Sequence, residues 1–206
     1  YFLDKERMLL DCLLELHAGE KSHYAVAEAR GLTSLGFGFM TFSALRLSRR
    51  YHVRSAEVAQ QTNNPSAIAF AIFAMGFLDL YDGRWDACDA NLGKAVTVYR
   101  DAGDIHRSGG ATLMRSLVVN FRGDLPQTAA MAAKLMHSGQ DAADPQLASW
   151  GFQIRGYAEL ATGPLDVAIA NLRQGIAMAA AIPAWDNFLY QKSLLAKCLV
   201  LQGKAD

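Results

Sequence analysis

Apolar residues recur through this chain at three- and four-residue steps, cut at regular distances by glycine or proline. In "PSAIAFAIFAMGFLDLYDG" they fall at Phe70, Phe73, Ala74, Phe77, Leu78 and Tyr81, the spacing of one face of an α-helix. In "RWDACDANLGKAVTVYRDAG" they fall at Trp85, Cys88, Leu92, Ala95, Val96 and Tyr99. Pro65 suits the first turn of the earlier helix, where its missing N–H is not needed. A glycine inside a helix costs about 1 kcal/mol relative to alanine, but just past the end it can take a positive φ and close the helix. Gly83 and Gly103 stand at such ends. With no strand-like alternation of any length, the pattern predicts an all-α chain of paired helices.

The glycines keep a period. Gly83, Gly123, Gly163 and Gly203 are 40 residues apart each time. Seven residues before each stands a small residue: Gly76, Ser116, Gly156 and Ala196. One repeat earlier the small residue is Gly36, although Ser43 replaces the turn glycine there. "NL" recurs at Asn91–Leu92 and Asn171–Leu172, "DAGD" at 101–104 is matched by "DAAD" at 141–144, and Pro65 is matched by Pro145. The alignment runs without gaps from about residue 25 to the end. It defines units near 25–64, 65–104, 105–144, 145–184 and 185–206 in a single repeat domain spanning 1–206.

The small residue has a physical purpose. Two helices joined by a tight turn cross closely, and a bulky side chain at the contact would hold them apart. Phe37, Phe77, Leu117 and Tyr157, each one position later, fill the space beside it. One helical pair cannot bury its apolar stripe alone, whereas stacked pairs can, so the expected architecture is an α-solenoid.

Composition narrows the class. Twenty basic residues balance twenty acidic ones, which gives no electrostatic reason to expect direct nucleic-acid binding or an anionic membrane surface. No apolar run approaches the roughly 18 residues of a membrane span. "YFLDKERMLLD" is too charged for a signal peptide. Cys12, Cys88 and Cys198 are odd in number and far apart, so neither a zinc site nor a disulfide framework is expected, and a reduced, cytoplasmic compartment fits. A chain that starts at Tyr1 and stops within "LQGKAD" reads as a piece of a longer protein.

Gly76, Tyr81, Gly83, Trp85 and Ala90, then Gly156, Gly163, Leu165, Ala168 and Ala170, resemble the tetratricopeptide repeat (TPR). The 40-residue period is longer than that family's usual unit. It is similar to the tandem repeats of large bacterial ATPase-containing transcription regulators and of adenylate or guanylate cyclases. The resemblance implies a right-handed α-solenoid of antiparallel helix pairs, about four to five repeats long. It implies a scaffold that binds partners or effectors, and no chemistry in this segment.

Motifs for catalysis, cofactors or metals are not found. His17, His23, His52, His106 and His137 are dispersed, with no i, i+4 metal pair, and read as cap or surface residues. "NLGKAV" and "LQGKAD" lack the first glycine of a phosphate-binding loop, and "GFGFM" at 36–40 follows no strand. The cysteines read as buried small hydrophobes.

Binding candidates are cationic. Arg115 and Arg155 share a register, one residue before the small position, and Arg122 lies further along the same helix as Arg115. Stacked guanidinium groups could hold a partner's carboxylate or phosphate; the alternative is ion pairing within the array, as Glu159 is four residues from Arg155. "RLSRRYHVR" at 46–54 is a basic cluster containing Arg49 and Arg50, read either as a solvated helix face or as a patch for an anion or acidic partner. Trp150 and Tyr190 share a register with Phe70 and read as core. The functional expectation is a non-catalytic scaffold for protein or peptide partners within a larger bacterial signalling protein. Its rivals are a sensor that binds a small-molecule effector or peptide in its groove and gates an attached catalytic module, and a self-association module forming a homodimer.

Overall fold

The computed structural model describes residues 4–182 and 185–203. Tyr1 and residues 204–206 of the "LQGKAD" motif lie outside them. Among the described residues the chain is an all-helical repeat of ten helices without a strand. The helices are α1 (Lys5–Lys21), α2 (Ala25–Thr41), α3 (Leu45–Gln61), α4 (Pro65–Tyr81), α5 (Trp85–Asp101), α6 (Ile105–Phe121), α7 (Leu125–Asp141), α8 (Pro145–Thr162), α9 (Leu165–Ala180) and α10 (Trp185–Leu201). Every helix starts 20 residues after the one before it, so the 40-residue glycine period spans two helices and the turns keep half of it.

The turns explain the half period. Among the described residues a positive φ falls at 20-residue steps from His23 through Ser43, Asn63, Gly83, Gly103, Gly123 and Ala143 to Gly163, and again at Gly203. Most of these turns share one closing hydrogen bond, from the N–H one residue past the left-handed residue to a carbonyl five positions back. It is seen at Arg84 to Asp79 (2.8 Å), Asp104 to Tyr99 (2.9 Å) and Asp144 to Gly139 (2.8 Å). The next helix is then capped where the sequence allows. The Asn64 carboxamide accepts from the N–H groups of Ser66 and Ala67, and Asp144 Oδ1 from those of Gln146 and Leu147. Pro65 and Pro145 occupy the first turns that need no N–H.

Left-handed backbone costs an L-residue with a Cβ about 1–2 kcal/mol. Ala143 sits at φ 49° with no side-chain group to offset that cost. Ala143→Gly is therefore expected to stabilise the protein by about 0.5–1 kcal/mol. Gly123→Ala, in open space at φ 80°, should cost a similar amount. A shift of the urea midpoint at unchanged slope checks both.

The chain divides into two compact units, one ending at Asp104 and one beginning at Ile105. In the first, successive helices pack together and α2 also meets α4. Ala29, Leu32, Val58, Ala59 and Ala71 form a buried cluster there. In the second, α6 also meets α8, around Leu113, Leu135, Leu147, Ile154 and Tyr157, and a further cluster holds Ala168, Leu172 and Cys198. Some buried polar side chains bridge helices within each unit. Ser55 Oγ donates to the Ala29 carbonyl at 2.7 Å in the first; Ser149 Oγ donates to the Gly175 carbonyl and accepts from Asn187 and Gln191 in the second.

The small positions do what close crossing requires. A Cβ on Gly76 would come within 2.7 Å of Leu92, and one on Gly156 within 2.6 Å of Leu172. In each case a leucine sixteen residues later fills the space that the missing side chain leaves. At Gly36 the group that fills it is the ring of His52, 2.5 Å from where a Cβ would stand. Two expectations for the apolar faces are corrected. Tyr81 and Trp85, at the end of α4 and the start of α5, are exposed, and Tyr190 is 42% exposed instead of core.

Candidate functional site

Helix α3 departs from the repeat to which it belongs. On the buried face, α5 carries Cys88 and Leu92, and α9 carries Ala168 and Leu172, all fully buried. The same registers in α3 hold Ser48 and His52, equally buried, and neither Ser48 Oγ nor either His52 ring nitrogen has a hydrogen-bond partner. The reading of His52 as a surface residue of a basic cluster is thus overturned: its ring lies 5.0 Å from that of Phe37, edge to face. Burial, reinforced by the positive charge of Arg49, lowers the His52 pKa to about 4, so the imidazole is neutral.

Arg49 is also turned inward. Its guanidinium donates to Asp79 Oδ1 at 3.0 Å and to Asp82 Oδ2 at 2.7 Å. Asp79 is 1% exposed, and its other oxygen accepts from Asn91 Nδ2 at 2.9 Å. Although burial alone would lower the Arg49 pKa, the two carboxylates outweigh it and the pKa is raised. Arg49 is thus neither part of a solvated face nor free for an outside anion: it ties α3 to the end of α4.

The rest of the cluster faces outward. Arg46, Arg50 and Arg54 lie one above the next at four-residue steps on the exposed side of α3. Arg54 pairs with Glu57 at 3.2 Å. Arg46 and Arg50 make no ion pair with any described residue, and they border an open cleft of about 660 Å3 with Leu32, Leu47, Tyr51 and Val53 on its apolar side.

The second unit holds the other predicted cations. Arg155 Nε donates to Glu159 Oε1 at 2.8 Å, four residues along α8, again the within-array pairing. Arg115 is half-buried on α6 and Arg122 is exposed just past its end. His106 and Asp144, 2.7 Å apart, form a His–carboxylate pair. Burial raises the Asp144 pKa, but the hydrogen bond with His106, helped by the two cap N–H groups, brings it below the ordinary value. With one oxygen capping α8 and the other on His106, Asp144 is committed to holding the starts of α6 and α8 together. Tyr157 and Ser116 share a buried hydroxyl–hydroxyl hydrogen bond, and burial raises the Tyr157 pKa. Among the described residues no three metal-ligating side chains converge, and no helix is long and apolar enough to cross a membrane.

A second surface feature escaped the arginine-centred reading. Phe37 on α2 and Phe70, Phe73, Phe77 and Tyr81 on α4 form a row of rings with successive centroids 5.2–6.5 Å apart. The phenylalanines are only half-buried, and Tyr81 at the end of the row is 63% exposed. The periodicity had marked the α4 members as a core face. What it could not show is that the small residues Ala74 and Gly76, together with Leu78, take the deepest positions and leave the rings at the rim.

No protein-family model matches the chain, and no curated protein does. Among solved structures it is similar in fold to BtubC (BKLC) from P. vanneervenii, with a TM-score of 0.77 at 11% sequence identity, over 98% of this chain and 85% of that one. At that identity the likeness speaks to the fold: an all-helical repeat.

Proposed function

We propose that this chain is a TPR-like, right-handed α-solenoid segment that binds a protein partner without catalysis, as part of a larger bacterial signalling or transcription-regulatory protein in the cytoplasm. The observation that carries the reading is the aromatic row on α2 and α4. Aromatic side chains concentrate binding energy at protein interfaces, and a contiguous, partly exposed set of five is costly to leave in water without a use. The strictly 20-residue helix spacing supports the reading, because residues 40 apart then recur at the same place on every second helix, as in a repeat scaffold. Arg49 and Arg155, each paired with acidic residues of its own unit, are left out of the proposed interface.

Affinity capture from the native host, comparing wild type with Phe73→Ala/Tyr81→Ser, tests the proposal. Wild type is expected to retain a discrete protein partner that the variant loses at an unchanged helical spectrum. Equal capture by both, or thermal stabilisation by small metabolites with no protein captured, would replace it with another surface or with the sensor reading.

A further inference from the structure

The exposed side of α3 is a second surface, separate from the aromatic row, and the repeat itself shows what is unusual about it. The register of Arg46 holds Pro126 in α7 but an acidic first-turn residue in the others, Glu6 in α1, Asp86 in α5 and Asp166 in α9. Acids there complement the partial positive charge of a helix N-terminus, and a cation opposes it. The register of Arg50 holds Ala90, Ala130 and Ala170. Helix α3 thus gives up a favourable first-turn charge and a small side chain to present two guanidinium groups one turn apart. Neither is neutralised by a described residue, unlike Arg49 and Arg54 beside them. Departures from local folding preference that nothing in the fold repays are expected at functional sites.

We infer that this cleft docks an acidic amphipathic helix of a partner protein. Two arginines four residues apart match two carboxylates four residues apart on an approaching helix. Leu47, Tyr51 and the 42%-exposed Val53 supply the apolar side for that helix's non-polar stripe. Charge complementarity selects an acidic partner, and the concave, partly apolar shape selects a protein segment over an extended polyanion. Nucleic acid would need many phosphate contacts, whereas this cleft presents Arg46 and Arg50 on a chain of zero net charge.

The test uses a fluorescein-labelled peptide of leucine, alanine and glutamate, with glutamates four residues apart beside a leucine stripe. Fluorescence anisotropy is measured against the whole chain at low and high salt. The peptide is expected to bind, to weaken with salt, and to bind about tenfold less tightly when its glutamates become glutamine. Arg46→Glu/Arg50→Glu should abolish binding and accept instead a peptide with lysine in place of glutamate. The milder Arg46→Gln/Arg50→Gln, on an exposed helix face, should lose about tenfold in affinity with an unchanged melting temperature. Peptide affinity indifferent to both variants would overturn the inference. So would binding of phosphatidylserine vesicles or single-stranded RNA through Arg46 and Arg50 where the peptide does not bind.

Discussion

Replacing His52 with leucine is expected to make the protein more stable, and increasingly so as the pH falls. Leucine is what stands at this register wherever a glycine sixteen residues earlier leaves room for it, at Leu92 opposite Gly76 and Leu172 opposite Gly156. At neutral pH the change removes two buried ring nitrogens without partners, each costing about 1 kcal/mol or more. Below neutrality a second effect adds to it. The folded-state pKa of about 4 lies below the ordinary 6.5, so between these values the unfolded chain binds a proton that the folded chain refuses. Stability supported by neutral His52 is fully present above pH 6.5 and is lost as the pH falls toward 4. The full loss is about 3 kcal/mol. The wild-type minus His52→Leu difference in unfolding free energy should therefore widen by about that amount between pH 7 and pH 4. A difference independent of pH would mean that the imidazole is solvated.

The second large effect concerns Arg49. Truncating it to alanine leaves the carboxylate of Asp79 buried with Asn91 and the more distant Arg84, 3.8 Å away, as its remaining support. Breaking a buried pair from one side costs several kcal/mol, since the other charge keeps its desolvation penalty. Arg49→Ala is expected to destabilise the protein by about 3 kcal/mol. Arg49→Met/Asp79→Leu should recover most of that, because the stranded charge is gone. Chemical denaturation of the two single variants and the double variant gives the coupling directly. An Arg49→Ala variant within about 0.5 kcal/mol of wild type would show that the pair is solvent-screened, as exposed pairs are.

These two residues mark where the sequence was legible and where it was not. The 40-residue period was readable because Gly83, Gly123, Gly163 and Gly203 are glycines, the residue type that advertises left-handed backbone. Of the intervening turns only Gly103 showed itself in the same way; at His23, Asn63 and Ala143 the same conformation carries a side chain that hides it, so the regular 20-residue step became plain in the backbone. Gly76 and Gly156 were readable as close-crossing positions for a related reason: a missing side chain is a strong signal. The basic run at 46–54 was read by its charge, which groups Arg49 and His52 with their exposed neighbours. Helical geometry separates them. Arg49 turns toward Asp79 and His52 toward Gly36, while Arg46 and Arg50 remain outside. Counting sixteen residues on from Gly36, as Leu92 lies sixteen from Gly76, would have placed His52 in the core. The aromatic row could not be told from core, because periodicity finds a face without showing what covers it.

Helix α3 therefore combines an interior that departs from the repeat with an exterior that forgoes a favourable charge, and its exposed arginines serve binding at the expense of folding. The most direct measurement returns only the exterior to the repeat, with Arg46→Asp/Arg50→Ala, the residues that α5 and α9 carry. Unfolding and affinity for the acidic helical peptide are then measured on the same preparation. The expected result is a melting temperature equal to or above that of wild type, together with a loss of peptide binding. A variant that melts lower, or that binds the peptide as tightly as wild type, would contradict it and return the two arginines to a structural role.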